Sequence, residues 1–253
     1  MMRGVFASAA LLLAARCAPF DAVSEASDSG TSDSSGGDSG ASDGGGAADG
    51  TDAGAVVFVQ EASNTGSGAA TLTVTLTKAP ADGHSLVLVV GSNGDYPSGV
   101  SGGGVRSWSN PAMSGLHVST SIWVGLAVSN ASPTVTITWQ TAPPRAGALL
   151  TEWAGLSAVD SAGTSNKDMT PTSTVIVTPF AAQPGQLLFA AAGTQAPATA
   201  GPTGGFSPLG PVLVASSFDL LAAYLKVGAT GPYGTSWTIS TAIGWDTILV
   251  ALH

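Results

Sequence analysis

The stretch Thr71-Leu72-Thr73-Val74-Thr75-Leu76-Thr77 decides the fold class of this chain of 253 residues. Apolar residues and threonines alternate strictly along it. Because successive side chains of a β-strand point to opposite faces of a sheet, the apolar side chains face inward and the hydroxyls face water. The stretch Thr134-Val135-Thr136-Ile137-Thr138-Trp139 repeats the pattern. Both stretches therefore predict half-buried strands.

Similar short apolar and β-branched runs, broken by Gly, Pro, Asn and Asp, fill residues 55–253. This spacing is typical of a sandwich or a barrel. The segment 218–226 fits a helix or a buried strand equally well. We expect one all-β domain over residues 55–253, an antiparallel two-sheet sandwich of jelly-roll type. The predicted strands lie near residues 56–60, 71–77, 86–91, 105–108, 118–128, 134–140, 148–153, 174–178, 187–192, 212–216, 220–227, 235–240 and 247–252.

Residues 1–20 have the pattern of an export signal, with Arg3 ahead of an apolar run. Cys17, the single cysteine, lies where a bacterial lipoprotein signal places the residue that becomes acylated. Arg16 departs from the lipoprotein pattern, which has a small residue directly before the cysteine. Two outcomes stay open: lipidation of Cys17, or removal of the cysteine with the signal. In either case the domain has no disulfide.

Residues 21–54 form an acidic linker of Ser, Asp, Gly and Ala. The linker holds seven Asp and one Glu, and neither Lys nor Arg. Such a composition buries too little apolar area to offset the ordering of the backbone, so we expect a disordered, self-repelling tether. Its Asp-Gly pairs lack the spaced ligands of a calcium loop. We therefore predict a spacer that is cut readily by proteases.

The domain itself is nearly neutral, because residues 55–253 hold five Lys or Arg and eight acids. No basic stripe is present, so the sequence excludes nucleic acid as a partner, and membrane contact is expected only through a lipid anchor. The histidines His84, His117 and His253 have no companions at metal-ligand spacing. The sequence predicts neither a metal nor a cofactor.

Several segments resemble β-sandwich domains, often of jelly-roll type, that recur in secreted bacterial proteins and in some phage particles. The resemblance implies fold and an exported location, and it implies no activity. The segments that carry it are Ala79-Pro80-Ala81-Asp82-Gly83-His84-Ser85-Leu86-Val87-Leu88, Gly99-Val100-Ser101-Gly102-Gly103-Gly104, Ser121-Ile122-Trp123-Val124-Gly125, Glu152-Trp153-Ala154-Gly155-Leu156, Gly185-Gln186-Leu187-Leu188-Phe189 and Tyr233-Gly234-Thr235-Ser236-Trp237-Thr238.

The sequence contains two weak matches to catalytic patterns, a serine motif and a set of carboxylates. Ser101 within Gly99-Val100-Ser101-Gly102-Gly103 matches a hydrolase elbow, but no helix pattern follows, and the one histidine downstream of the later acids is His253. Carboxylates could hydrolyse glycosides in pairs, and the sequence does not give their separation. The candidate carboxylates are Glu61, Glu152, Asp160 and Asp246. Glu152 is expected to point away from Trp153, on a solvent face or pinning a loop.

The tryptophans offer a binding surface, because indole rings stack on sugars. Trp123, Trp153 and Trp237 lie in apolar runs and are predicted to be core residues, and Trp139 shares their pattern. Trp108 and Trp245 lie in polar or glycine-bounded segments. With the loop residues Asp95 and Tyr96, these two tryptophans form the predicted ligand site.

The function that the sequence favours is a non-catalytic module for display or adhesion, exported to the cell surface or secreted. Carbohydrate binding through Trp108 and Trp245 is the alternative, and a glycoside hydrolase is the second. The expected partner is a glycan or another cell-surface polymer.

Overall fold

The computed structural model describes residues 56–115, 118–161, 165–214 and 218–253, without the side chains of 161–170, 211 and 213. The predicted signal, Cys17, the linker and His117 lie outside the described residues. The strands are β1 Val57–Gly66, β2 Thr71–Thr75, β3 Ser85–Ser92, β4 Gly99–Gly102, β5 Trp108–Ser114, β6 Ser119–Gly125, β7 Thr134–Thr138, β8 Ala146–Ala154, β9 Val159–Ser161, β10 Ser165–Ile176, β11 Phe180–Ala182, β12 Leu187–Thr194, β13 Ala198–Ala200, β14 Ser207–Val214, β15 Phe218–Lys226, β16 Gly231–Tyr233 and β17 Ser236–Leu252.

Strands β1 to β8 form a first lobe, residues 57–154, with jelly-roll strand order. One sheet has the order β1-β8-β3-β6-β5 and the other has the order β2-β7-β4. The first, eighth, third and sixth strands of a jelly roll share one sheet in the same way, and the remaining strands cover it. All pairings are antiparallel. The predicted all-β antiparallel sandwich is confirmed.

A second lobe, residues 165–252, repeats the strand order of the first. Its sheet runs β10-β17-β12-β15-β14, and β13 pairs with β17. Strands β10 and β17 are long enough to contribute to both layers of the second lobe. The first part of β17 pairs with the end of β10 and with β13, whereas its last part pairs with β12. The chain therefore contains two sandwiches, each built on the same plan.

Matching residues support the equivalence of the lobes. Gly83 and Gly185 both have positive φ, and their N–H groups donate to the carbonyls of Val128 and Val227 respectively. Each edge strand, β5 or β14, is interrupted by a bulge at an X-Pro pair, Asn110-Pro111 in one and Gly210-Pro211 in the other. Proline is tolerated there because the bulge needs no ladder hydrogen bond from it.

The two large sheets pack face to face and bury a shared core. Val87, Leu149 and Trp153 of the first lobe meet Phe189, Ile248 and other residues of the second lobe within one hydrophobic cluster. Two further clusters lie on the outer faces of the large sheets, one in the first lobe beneath β2-β7-β4 and one in the second lobe beneath the two-stranded sheet β11-β16 and the first part of β17. The shared core buries the inner faces of both lobes and joins them.

The alternation predicted from the sequence is present in both opening strands. Leu72 and Val74 of β2 are buried between exposed threonines, and Val135 and Ile137 of β7 are buried. The ambiguous segment Phe218–Lys226 is strand β15. No helix among residues 56–115, 118–161, 165–214 and 218–253 is long and apolar enough to cross a membrane.

Candidate functional site

Trp245 is not an exposed platform, contrary to the sequence expectation. Its side chain is 2% exposed and packs in the outer core of the second lobe. The indole Nε1 donates to Thr172 Oγ1 at 3.0 Å. The sequence suggested exposure because Gly244 precedes Trp245, but this segment continues strand β17 and turns the indole inward.

Trp108 is half-buried at the start of β5, against the outer core of the first lobe. Its Nε1 donates to the carbonyl of Gly102 at 3.3 Å. The other tryptophans follow the prediction: Trp139, Trp153 and Trp237 are buried, and Trp123 packs half-buried against the same outer core as Trp108. Trp108 is therefore a partly exposed ring without Trp245 as its companion.

Asp95 and Tyr96 lie in the loop after β3, far from Trp108. Trp108 pairs with Gly125 at one end of β6, whereas this loop contacts Ser119 at the other end through Gly94. Six residues of strand separate the two places, which is about 20 Å. The structure therefore does not bring the predicted ligand site together.

Tyr96 instead lies near Asp246, a carboxylate buried between the lobes at the same end. Asp246 Oδ2 accepts the backbone N–H of Val118 at 3.1 Å, and Oδ1 accepts the hydroxyl of Ser114 at 3.3 Å. A residue of the second lobe thus binds the last residue of β5, Ser114, and the residue before β6, Val118, in the first. Local sequence pattern does not predict this contact, because Val118 and Asp246 lie 128 residues apart.

Burial, and next the charge of Asp246, raise the pKa of Tyr96 above its ordinary value of 10.0. The folded chain therefore holds the phenol proton of Tyr96 more tightly than the unfolded chain does. The free energy of unfolding falls only when the pH rises above the ordinary tyrosine pKa, because the unfolded chain then loses this proton first. In an alkaline titration followed by phenolate absorbance, we expect one of the three tyrosines to ionise late. Asp246→Asn should move that step to lower pH.

The control for this titration is Asp95→Asn, which removes the same charge from an exposed side chain one residue away. It should leave the late step in place. An unchanged titration in Asp246→Asn would show that the two side chains do not interact.

Glu152 pins a loop of the first lobe, one of the two roles expected of it. Its side chain is 1% exposed and points away from Trp153. Oε1 contacts His84 Nδ1 at 2.6 Å and accepts the N–H of Ala81 at 2.9 Å, and Oε2 accepts Gln60 Nε2 at 2.6 Å. These contacts satisfy the buried carboxylate and fix the β2–β3 loop to β1 and β8.

The four candidate carboxylates do not converge as a hydrolytic pair. Glu61 pairs across the ladder with Thr151, so it lies on the sheet face opposite Glu152. Asp160 contacts His253 just beyond the end of β17, and Asp246 lies seven residues earlier on that strand, about 20 Å away. A glycosidase needs two carboxyl groups within about 10 Å across one cleft.

The serine motif has no hydrolase context. Ser101 lies within strand β4 and pairs with Thr136, whereas a nucleophile elbow joins a strand to a helix. Elsewhere Ser157, Asp160 and His253 share a cleft of roughly 500 Å³ at the end of the shared core. Ser157 Oγ donates to the carbonyl of His253 and not to its ring, so no base contacts the hydroxyl. Gln186 Nε2 holds the other oxygen of Asp160 at 2.7 Å.

A second cleft, of roughly 410 Å³, opens on the outer side of the second lobe. We call it the Asp219 cleft, because Asp219 is the one charged side chain among the described residues that line it. Apolar groups and backbone make up almost all of the rest. The wall residues are Pro197, Ala198, Thr199, Ala200, Gly201, Pro202, Pro208, Leu209, Gly210, Leu221, Ala222 and Trp237. Sequence pattern alone does not predict this cleft, although Asp219 is an isolated acid at the start of an apolar strand.

Comparisons with known proteins add no relative. No family model matches the chain, no curated protein sequence matches it, and no solved structure matches it. Within the part of the chain that the structure describes, no group of three or more His, Cys, Asp or Glu side chains could hold a metal ion.

Proposed function

We propose that the chain is an exported, non-catalytic module for display or adhesion, whose two jelly-roll lobes share one core and follow an acidic linker in the sequence. The proposal rests on the structural contacts of three acidic side chains. Glu152 pins a loop, Asp246 holds the two lobes together, and Asp160 fixes the last residue of the chain. Acids with such structural roles support a scaffold better than they support a hydrolase.

Carbohydrate binding is the weaker alternative. A sugar-binding face needs aromatic rings that are exposed and close together. Trp245 is buried and Trp108 is half-buried far from Tyr96, so the surface predicted for stacking has lost its second ring. Glycoside hydrolysis has less support than carbohydrate binding, because the candidate carboxylates do not form a close pair.

The test of export and display uses an antibody against residues 55–253 on intact cells that make the full chain. We expect surface labelling, and palmitate incorporation that is lost in Cys17→Ser together with release of the protein into the medium. Labelling only after the cells are broken would overturn the proposal.

The test of the non-catalytic role uses the purified chain and a panel of polysaccharides. We expect no release of reducing ends, and retention of coated beads on cell surfaces above that of beads coated with an unrelated protein. Release of sugar that disappears in Glu152→Gln or Asp160→Asn would establish the hydrolase instead.

A further inference from the structure

The two lobes differ at one position where the repeat places equivalent residues. Ser119 begins β6 and pairs with Ser92, whereas Asp219 lies on β15 and pairs with Thr194. The Ser119 hydroxyl donates to the carbonyl of Gly94 in its own lobe. The second lobe therefore carries a carboxylate where the first lobe carries a small hydroxyl that closes on a loop.

Asp219 is largely buried, and its carboxylate opens onto the cleft. Its side chain is 6% exposed. Oδ2 accepts the backbone N–H of Ala198 at 3.0 Å, and among the described residues Oδ1 has no protein donor. Both ion pairs found among those residues are histidine–carboxylate pairs elsewhere, at His84 and His253.

A buried carboxylate without a cation is costly, because desolvation disfavours its charge. Burial raises the pKa of Asp219 above its ordinary value, and the hydrogen bond from Ala198 opposes this only in part. A cation placed against Oδ1 would compensate the charge. No Lys or Arg is among the described residues that line the Asp219 cleft, so a cation from outside the chain could occupy that place.

The walls of the cleft indicate the chemistry of the rest of the ligand that would carry the cation. Pro197, Pro202, Pro208, Leu209 and Trp237 offer apolar surface around the single acid. A volume of roughly 410 Å³ lies within the range of small-molecule sites, about 300–1,000 Å³. A strongly hydrated metal ion would find one side-chain ligand and a dry wall, whereas an organic ammonium finds both an acceptor and packing surface.

We propose that the Asp219 cleft binds a primary ammonium group carried on a compact apolar body. The ammonium N–H donates to Asp219 Oδ1, and the alkyl or aryl part packs on the prolines, Leu209 and Trp237. The inference does not depend on display or adhesion, since it concerns the cleft alone.

The experiment titrates the full chain with n-butylammonium chloride and, in parallel, with the neutral 1-butanol of equal length. We expect saturable binding of n-butylammonium and binding of 1-butanol that is at least about tenfold weaker, because the alcohol brings no charge to the carboxylate. The amide signal of Ala198 in a nuclear magnetic resonance spectrum should shift on titration, since this N–H shares the carboxylate.

The variant Asp219→Asn keeps the shape and removes the charge, and should weaken n-butylammonium at least about tenfold. Because burial penalises the charged acid, this variant should fold at neutral pH, and circular dichroism checks that it does. Asp219→Ser, which installs the residue of the first lobe, should show the same loss. Asp95→Asn, an exposed acid changed in the same way, should alter the affinity less than about twofold.

Equal binding of 1-butanol and n-butylammonium would overturn the proposal, because it would leave a merely apolar cleft. An equal loss of affinity in Asp95→Asn and Asp219→Asn would also overturn it, since it would reveal attraction to the acidic chain as a whole. Neither result would bear on export or display.

Discussion

Replacing Trp153 by alanine is expected to lower the free energy of unfolding by about 3–5 kcal/mol, the usual cost of truncating a fully buried tryptophan. Trp153 is 0% exposed at the centre of the shared core. Its ring lies 5.3 Å from that of Phe58 in its own lobe, and 4.9 Å and 6.3 Å from the rings of Tyr224 and Phe189 in the other. The cavity would therefore open between the lobes and weaken both.

Urea unfolding followed by circular dichroism measures this change, and the transition should stay single, because neither lobe can bury its inner face alone. Trp123→Ala is the matched control: the same residue type, in the same lobe, half-buried on the outer side. We expect it to cost clearly less than Trp153→Ala. A biphasic curve in the wild type would show that the lobes fold independently and that the core does not couple them.

Much of this fold could be predicted from local pattern. Thr71–Thr75 and Thr134–Thr138 became neighbouring strands of one sheet because strict alternation specifies which face is buried. The boundaries of long strands were harder to predict from the sequence. Two predicted strands, near 235–240 and 247–252, are parts of the single strand β17, which continues through Thr241, Ala242 and Gly244. Small and polar residues there are typical of a turn, whereas in the structure the segment stays extended and Ile243 pairs with Thr172 of β10.

The duplication was missed because the lobes share strand order more than sequence. Its signals are short: Asp82-Gly83-His84-Ser85-Leu86 against Pro184-Gly185-Gln186-Leu187-Leu188, and one X-Pro bulge in each lobe. Leu88 and Val90 of the first lobe are replaced by Ala190 and Ala192 in the second, all of them buried. Packing against a different outer layer accounts for such changes, so apolar pattern persists where identity does not.

The site was less predictable than the fold, because it depends on which lobe a residue faces. Asp219 and Asp246 look alike in the sequence, as single acids in apolar strands. Asp246 faces the first lobe and holds Val118, whereas Asp219 lies on the outer face of its sheet and lines a cleft. Alternation along a strand shows which residues share a face of the sheet. Only the packing of the sheets shows what each face contacts.

Replacing Trp245 by alanine is expected to cost about 3–5 kcal/mol of unfolding free energy, as large an effect as at Trp153. The ring is 2% exposed, packs in the outer core of the second lobe, and donates its N–H to Thr172. Truncation therefore leaves a cavity and a hydroxyl without its donor. Urea unfolding of the variant and the wild type, under the same conditions, gives the difference.

Two further variants separate packing from ligand binding. Trp245→Phe keeps most of the ring but loses the N–H, so it should cost less than Trp245→Ala, and the remaining loss reflects the bond to Thr172 together with imperfect filling. Trp108→Ala, at a half-buried ring, should cost roughly 1 kcal/mol. If Trp245→Ala kept full stability and lost affinity for a glycan, Trp245 would be an exposed stacking surface after all. The carbohydrate-binding function would then regain the second ring that it needs.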